Sequence, residues 1–181
     1  ENFRNIKGIA KAKGEIIDNI QKNGTIILNR DDKFFNYFEK KAKFKNIKIV
    51  TFGKSKKSDI RLIKTRENSK IKKILVLAKD EFLELKVKDI NIYSILASIA
   101  VLRELNLNLR KIIKLIESLR SFDGRGKLHK IKRYKKTFNL IDESYNASPF
   151  TVKNALHSFS KLKKKKFKKY LLLGDMLELG K

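Results

Sequence analysis

The sequence predicts an α/β protein in which parallel strands alternate with helices and a short antiparallel meander is added to them. Three observations carry that expectation. Two strand-length apolar runs, residues 25–28 and 47–52, flank a helical segment. Three short alternating runs follow, separated by charged turns. From Asn91 the apolar spacing changes to that of helices, and strand-like runs return only after a loop carrying Gly124 and Gly126.

Ile6, Ile9, Ala10, Ala12, Ile16, Ile17 and Ile20 recur at the helical period, so residues 6–21 are expected to form a helix stopped by Asn23-Gly24. Residues 25–28 have the continuous apolar character of a strand buried on both faces. Asn29-Arg30-Asp31-Asp32 then turns the chain, with Asp31 or Asp32 as N-cap and Phe34, Phe35 and Phe38 on the apolar face of the next helix. Residues 47–52 form the second strand, closed by Gly53, and the short connections require a parallel pair. Residues 60–63, 71–77 and 82–87 make the meander. Ile92, Ile95, Leu96, Ile99, Leu102 and Leu105 share one helix face, and Leu109, Ile112, Ile113, Ile116 and Leu119 share another. The loop at 121–126 is the expected domain boundary, giving domains 1–124 and 125–181. Beyond it strands are expected at 128–131, 138–141 and 170–173, with a helix over 151–162. That second unit stops after one strand-helix-strand passage. With Glu1 in first place, the expectation is an internal piece of a longer cytoplasmic protein.

The chain holds 181 residues with 45 Lys+Arg, 19 Asp+Glu and a formal net charge of +26. A hydrophobic share of 41% suffices for a core and argues against wholesale disorder. Cys is absent, which excludes a disulfide framework, a zinc ribbon and a thiol nucleophile. No apolar run reaches membrane-spanning length, and no charged start with an apolar h-region reads as a signal peptide. The charge first suggests a polyanion partner. Yet 36 of the 45 basic residues are Lys and only 9 are Arg, spread along the chain, and Ile and Asn are also abundant. All three abundant types use A/T-rich codons, so base composition accounts for the charge, and Arg, the residue suited to bidentate phosphate contacts, is not enriched.

Three separated stretches carry chemistry: Gly8-Ile9-Ala10-Lys11-Ala12-Lys13-Gly14-Glu15-Ile16, Asp142-Glu143-Ser144-Tyr145-Asn146-Ala147-Ser148-Pro149, and Gly174-Asp175-Met176-Leu177-Glu178-Leu179-Gly180. With these the sequence resembles the Mur ligases, in the branch that adds D-Ala-D-Ala, over essentially its whole length. The resemblance implies the C-terminal part of a central ATPase domain followed by the start of a Rossmann-like C-terminal domain. It implies an ATP-dependent ligase that phosphorylates the terminal carboxylate of a UDP-MurNAc-tripeptide, and D-Ala-D-Ala then attacks the acyl phosphate. ATP and Mg²⁺ are the implied cofactors, and a cytoplasmic monomer is expected. No G-x-x-x-x-G-K-[ST] occurs in these residues, so the phosphate-cradling loop is expected upstream.

Site residues follow from the same resemblance. Lys13 matches the family lysine that becomes an anionic Mg²⁺ ligand on carbamylation; by itself it reads as a solvated helix lysine. Asn91 matches the asparagine that meets adenine, although Ile90 replaces the family's His and Ser94 its second Asn; by itself Asn91 reads as a helix cap. Arg125 matches the Arg at the domain junction that reaches the nucleotide, or belongs to an ordinary linker. Asp142 is the ribose contact, with Ser144 and Asn146 as polar groups near the reacting ends and Tyr145 beside the substrate; Asp142 and Glu143 also read as a loop carboxylate and a cap. Asp175 and Glu178 are assigned to the D-Ala-D-Ala side. His129 and His157 match no motif and are read as structural. Two competing readings remain: folylpolyglutamate synthase, which shares the fold and the acyl-phosphate strategy, and a Lys-rich polyanion-binding module.

Overall fold

The computed structural model describes residues 5–68, 71–88, 90–119, 122–162 and 168–176. It divides into two compact units, Phe3–Arg120 and Ser121–Lys181.

The first unit is one five-stranded sheet between two helical layers. Its elements are α1 (Ile6–Asp18), β1 (Thr25–Asn29), α2 (Phe35–Phe44), β2 (Lys48–Gly53), β3 (Ile60–Asn68), β4 (Ile71–Ala78), β5 (Glu81–Val87), α3 (Ile92–Glu104) and α4 (Leu109–Ser118). The strands lie in the order β1-β2-β3-β4-β5. β1, β2 and β3 run parallel, and β3, β4 and β5 run antiparallel. The meander is therefore a continuation of the parallel sheet, and β3 belongs to both parts.

Burial on both sides of β1 and β2 follows from their unbroken apolar runs. Ile26 pairs with Ile49, and both pack toward Ile17, Phe38, Ala42 and Ile47 of the α1/α2 side. Their neighbours Ile27 and Val50, also paired, point to the other face and join Ile95, Leu96, Ile99 and Ala100 of α3. β4 and β5 alternate instead. Ile74, Val76, Leu83, Leu85 and Val87 are buried against α3 and α4, while Lys73, Glu84 and Lys86 are exposed. Thr51 is buried at the end of β2 before its pairing with β3 begins at Phe52. Asp59 supplies what the ladder lacks there: its carboxylate accepts from Thr51 N at 2.8 Å and Oγ1 at 2.5 Å.

Four expectations are corrected. α1 ends at Asp18, with Asn19 as C-cap, rather than running to residue 21. α2 starts at Phe35 with no side-chain cap bond from Phe34; Asp32 instead bonds Phe34 N at 2.7 Å within the preceding turn, and Asp31 is used elsewhere. In the second unit β6 (Lys127–Arg133) and β7 (Lys136–Asp142) form a two-stranded antiparallel hairpin, followed by α5 (Pro149–Ser160). Residues 170–173 carry no strand pairing, so the expected third strand is not formed. Tyr170, Leu171, Leu172 and Leu173 are all exposed, and an apolar run becomes a strand only when another strand takes its backbone groups. α5 opens two residues earlier than expected because Ser148 and Thr151 form a reciprocal capping box with Pro149 in the first turn.

Candidate functional site

In the first unit the polar groups gather where β1 and β2 end. The chain leaves β1 through Asn29, whose side chain accepts from Asp31 N at 3.0 Å and so sets the turn. This aims the Asp31 carboxylate at the turn after β2, where Oδ2 accepts from Lys54 N at 2.6 Å and Oδ1 from Ser55 N at 3.1 Å. A Cβ on Gly53 would sit 2.8 Å from Asp31 Oδ2, so glycine is required there by close approach. The Tyr93 hydroxyl, from the first turn of α3, donates to the same Oδ2 at 3.1 Å. Lys54 Nζ lies 5.5 Å from the centre of the Tyr93 ring. Burial, and then the Asp31 carboxylate, push the Tyr93 hydroxyl above its ordinary pKa.

Asn91 caps α3 in extended geometry, its Oδ1 accepting from Tyr93 N at 2.8 Å. The side chain is exposed, and its Nδ2 donor makes no hydrogen bond to another described residue. Capping and ligand binding are thus compatible, because the cap uses the oxygen and leaves the amide hydrogens. Ile90, in place of the family's His, packs half-buried against the core, and Ser94 is exposed. Lys13 is exposed on α1, one residue before Gly14, which is buried beside Tyr37. Among the described residues no three His, Cys, Asp or Glu side chains converge in a way that would hold a metal ion.

In the second unit Arg125, Asp142, Ser144 and Tyr145 are brought together at the base of the hairpin. Asp142 Oδ2 accepts from Gly124 N at 3.1 Å, and Oδ1 accepts from Ser144 N at 3.0 Å. Its backbone oxygen accepts from Gly126 N at 2.7 Å, and Tyr145 N donates back to Gly124 O at 3.1 Å. Gly124 has φ +73° and passes so close to Tyr145 that a Cβ would lie 2.8 Å from the Tyr145 Cβ. The Arg125 guanidinium stacks over the Tyr145 ring at 4.4 Å. Ser144, through its side chain and then its backbone, holds the Asp142 carboxyl below the ordinary aspartate value. Burial, and then the charge of Asp142, push Glu143 up. Asn146 and Asp175 are exposed, and Glu178 lies outside the described residues. His129 lies 3.4 Å from Asp123 Oδ1, which also pairs with Lys127 at 2.8 Å.

Residues 1–102 match the Mur ligase middle domain. The chain belongs to the Mur ligase family. The UDP-N-acetylmuramoyl-tripeptide--D-alanyl-D-alanine ligase of Buchnera aphidicola subsp. Baizongia pistaciae is 29% identical over 184 residues, which span 99% of this chain and 38% of that protein. This chain therefore spans well under half of that relative's length. Among solved structures, MurF from Acinetobacter baumannii aligns with a TM-score of 0.74 at 21% identity, covering 89% of this chain and 34% of its own. MurF from Thermotoga maritima, solved in complex with ADP, aligns at 0.68 and 24% identity, covering 87% of this chain and 35% of its own. These likenesses establish the Mur ligase α/β fold, with its mixed sheet.

Sequence reasoning did not find Asp31, Gly53, Lys54, Ser55 and Tyr93 as a group. Asp31 was readable only as a cap, and a lone Gly after a strand is an ordinary stop. The one local signal was the Asn29-x-Asp31 turn at a carboxyl strand end, where α/β sheets place ligand groups.

Proposed function

We propose that this chain is the part of an ATP-dependent peptidoglycan-precursor ligase that holds the nucleotide base and the domain junction, in an enzyme joining D-Ala-D-Ala to UDP-MurNAc-tripeptide through an acyl phosphate. The observation that carries the reading is the alignment of 99% of the chain with a relative of that name. On this reading residues 1–124 are the later part of the central ATP-binding domain, and residues 125–181 open the Rossmann-like C-terminal domain. The working enzyme is a cytoplasmic monomer.

The residues divide the work by their chemistry. Asn91 offers its free Nδ2 to a ring nitrogen of adenine while its Oδ1 keeps α3 capped. Asp142 turns the 142–145 loop around itself and retains lone pairs for a ribose hydroxyl. Arg125, held over Tyr145, presents a guanidinium to phosphate. Ser144, Asn146 and Tyr145 face the reacting ends, with Asp175 and Glu178 on the dipeptide side. Mg²⁺ supplies charge neutralisation at the phosphates when bound, and takes oxygen ligands. Lys13, as a carbamate, would be the oxygen ligand that this chain supplies to it.

The test is nucleotide binding and turnover in the protein that carries this chain. Asn91→Ala and Asp142→Ala should each weaken ATP binding by about 1–3 kcal/mol, the cost of leaving a polar partner unmade. Lys13→Ala should lower kcat strongly, with partial restoration by a short carboxylate in solution. Residues 1–181 alone, without a phosphate loop, should release no phosphate from ATP. ATP binding indifferent to both substitutions, together with salt-resistant DNA binding, would overturn the reading in favour of a polyanion module.

A further inference from the structure

Asp31 is a carboxylate that three separate segments share: the turn after β1 that carries it, the turn after β2 through Lys54 N and Ser55 N, and the start of α3 through the Tyr93 hydroxyl. Tyr93 is in turn held at its other end, because its backbone N–H donates to Asn91 Oδ1. The two contacts act on the same first turn of α3. One fixes where that turn sits against the sheet, and the other fixes how the Asn91 amide is rotated. We infer that Asp31 and Tyr93 are positioning residues for the nucleotide base: the Asp31–Tyr93 bond sets the α3 N-terminus and thereby the direction of Asn91 Nδ2.

The geometry excludes a cap-only account of these residues. A cap needs Asn91 and the α3 backbone, and Asn91 already satisfies Tyr93 N. The additional tie runs from the Tyr93 side chain to a residue 62 positions earlier in the chain, across the carboxyl edge of the sheet. It is also built at some expense. Gly53 must lack a Cβ for Asp31 to approach, and Asp31 accepts two backbone N–H groups that hold it in one rotamer. An amide whose free hydrogens must meet a ring nitrogen benefits from that rigidity, since small misplacements weaken a directional bond.

The inference rests on the reading of Asn91 as the adenine contact, and the experiment separates the two. In the protein carrying this chain, ATP, GTP and inorganic triphosphate affinities are measured for the parent, Tyr93→Phe, Asn91→Ala and the double variant, with Tm recorded for each. Tyr93→Phe removes only the hydroxyl and keeps the ring beside Lys54. It should weaken ATP binding about three- to tenfold, the scale of one hydrogen bond. Triphosphate binding should stay unchanged, and the preference for ATP over GTP should narrow. On the Asn91→Ala background the same substitution should add nothing, because its effect passes through Asn91. Asp31→Asn is the second variant: it should narrow the preference for ATP over GTP in the same way, together with a lowered Tm, because the N–H of Lys54 or of Ser55 loses its acceptor oxygen.

A merely structural role would lower Tm and weaken all three ligands together. That result, or additive losses in the double variant, overturns the positioning role while leaving Asn91 in place. If Asn91→Ala leaves ATP binding and base preference untouched, the base reading and this inference fail together.

Discussion

The two units of this chain are held by different physics. Every buried apolar side chain among the described residues lies between Ala10 and Ile116, and none lies in the hairpin or in α5. The first unit is a sheet covered on both faces by helices. The second is a hairpin and a helix organised by hydrogen bonds around Asp142 and Gly124. Many of its apolar side chains, among them Leu128, Phe138, Leu140, Phe150 and Leu172, are exposed, and those of Val152, Leu156 and Phe159 on α5 are only half-buried. The contrast shows that a well-made loop does not need a core beneath it. The Asp142 turn satisfies its backbone locally, whereas the Asp31 cluster depends on segments that only a packed sheet brings together.

Core truncation should separate the units most sharply. Leu85, on β5, is fully buried in the core that α3 and α4 cover, so Leu85→Ala should cost about 2–5 kcal/mol in denaturant unfolding followed by circular dichroism. Leu140 is 40% exposed on β7, and Leu140→Ala should cost about 0.5 kcal/mol or less. Comparable losses at the two sites would show that the hairpin is packed against something in solution.

A smaller effect is expected at the two glycines that permit close approach. A Cβ on Gly53 would meet Asp31 Oδ2 at 2.8 Å, and one on Gly124 would meet Tyr145 Cβ at 2.8 Å. Both positions have positive φ, so Ala at either should cost about 1–3 kcal/mol. The readout should differ. Gly53→Ala should lower the Tm of the whole first unit, because Asp31 ties its segments. Gly124→Ala should instead raise amide exchange at Gly126 and Tyr145, whose bonds close the loop, and leave the Tm of the first unit unchanged. A Gly124→Ala variant that lowers that Tm would make the two units one cooperative body.

What the sequence made legible tracks the range of the interactions. Ile26-Ile27 and Ile49-Val50 announced doubly covered strands because adjacent apolar residues already state that both faces are buried. The Asp142-Glu143-Ser144-Tyr145 stretch stood out only through its likeness to the family motif, and read by itself it gave a loop carboxylate and a cap; its loop bond is nonetheless local, since Asp142 bonds Ser144 two residues on. Asp31 was not readable as a site, since its partners lie 23, 24 and 62 positions away and no local pattern encodes them. The run at 170–173 misled for the complementary reason: apolar composition fits a strand, but pairing is supplied by another segment, and no described strand lies against it.

The smallest effects, and the finest comparison, come from acid. In the first unit Glu104 is held below the ordinary glutamate range, chiefly by Lys48 and then by Thr25, which tie α3 to β1 and β2. In the second unit Asp142 is lowered by Ser144, while Glu143 beside it is raised by burial and by Asp142. A lowered folded pKa means that the stabilisation is present above the unfolded pKa and is lost as pH falls through the folded one. Glu104 and Asp142 should therefore keep their contribution down to about pH 4 and lose it below. Glu143 has the opposite sign. Its raised pKa makes the neutral form the better one in the fold, so its small effect is favourable in acid and is lost as pH rises through the folded value. Titration of the carboxyl carbons by NMR should find Glu143 protonating before Asp142 as acid is added. The Tm difference between the parent and Glu104→Gln should shrink to zero at the acid end, where both side chains are neutral. Should Asp142 protonate before Glu143, the loop is not closed around Asp142, and its bonds to Gly124 and Ser144 do not survive in solution.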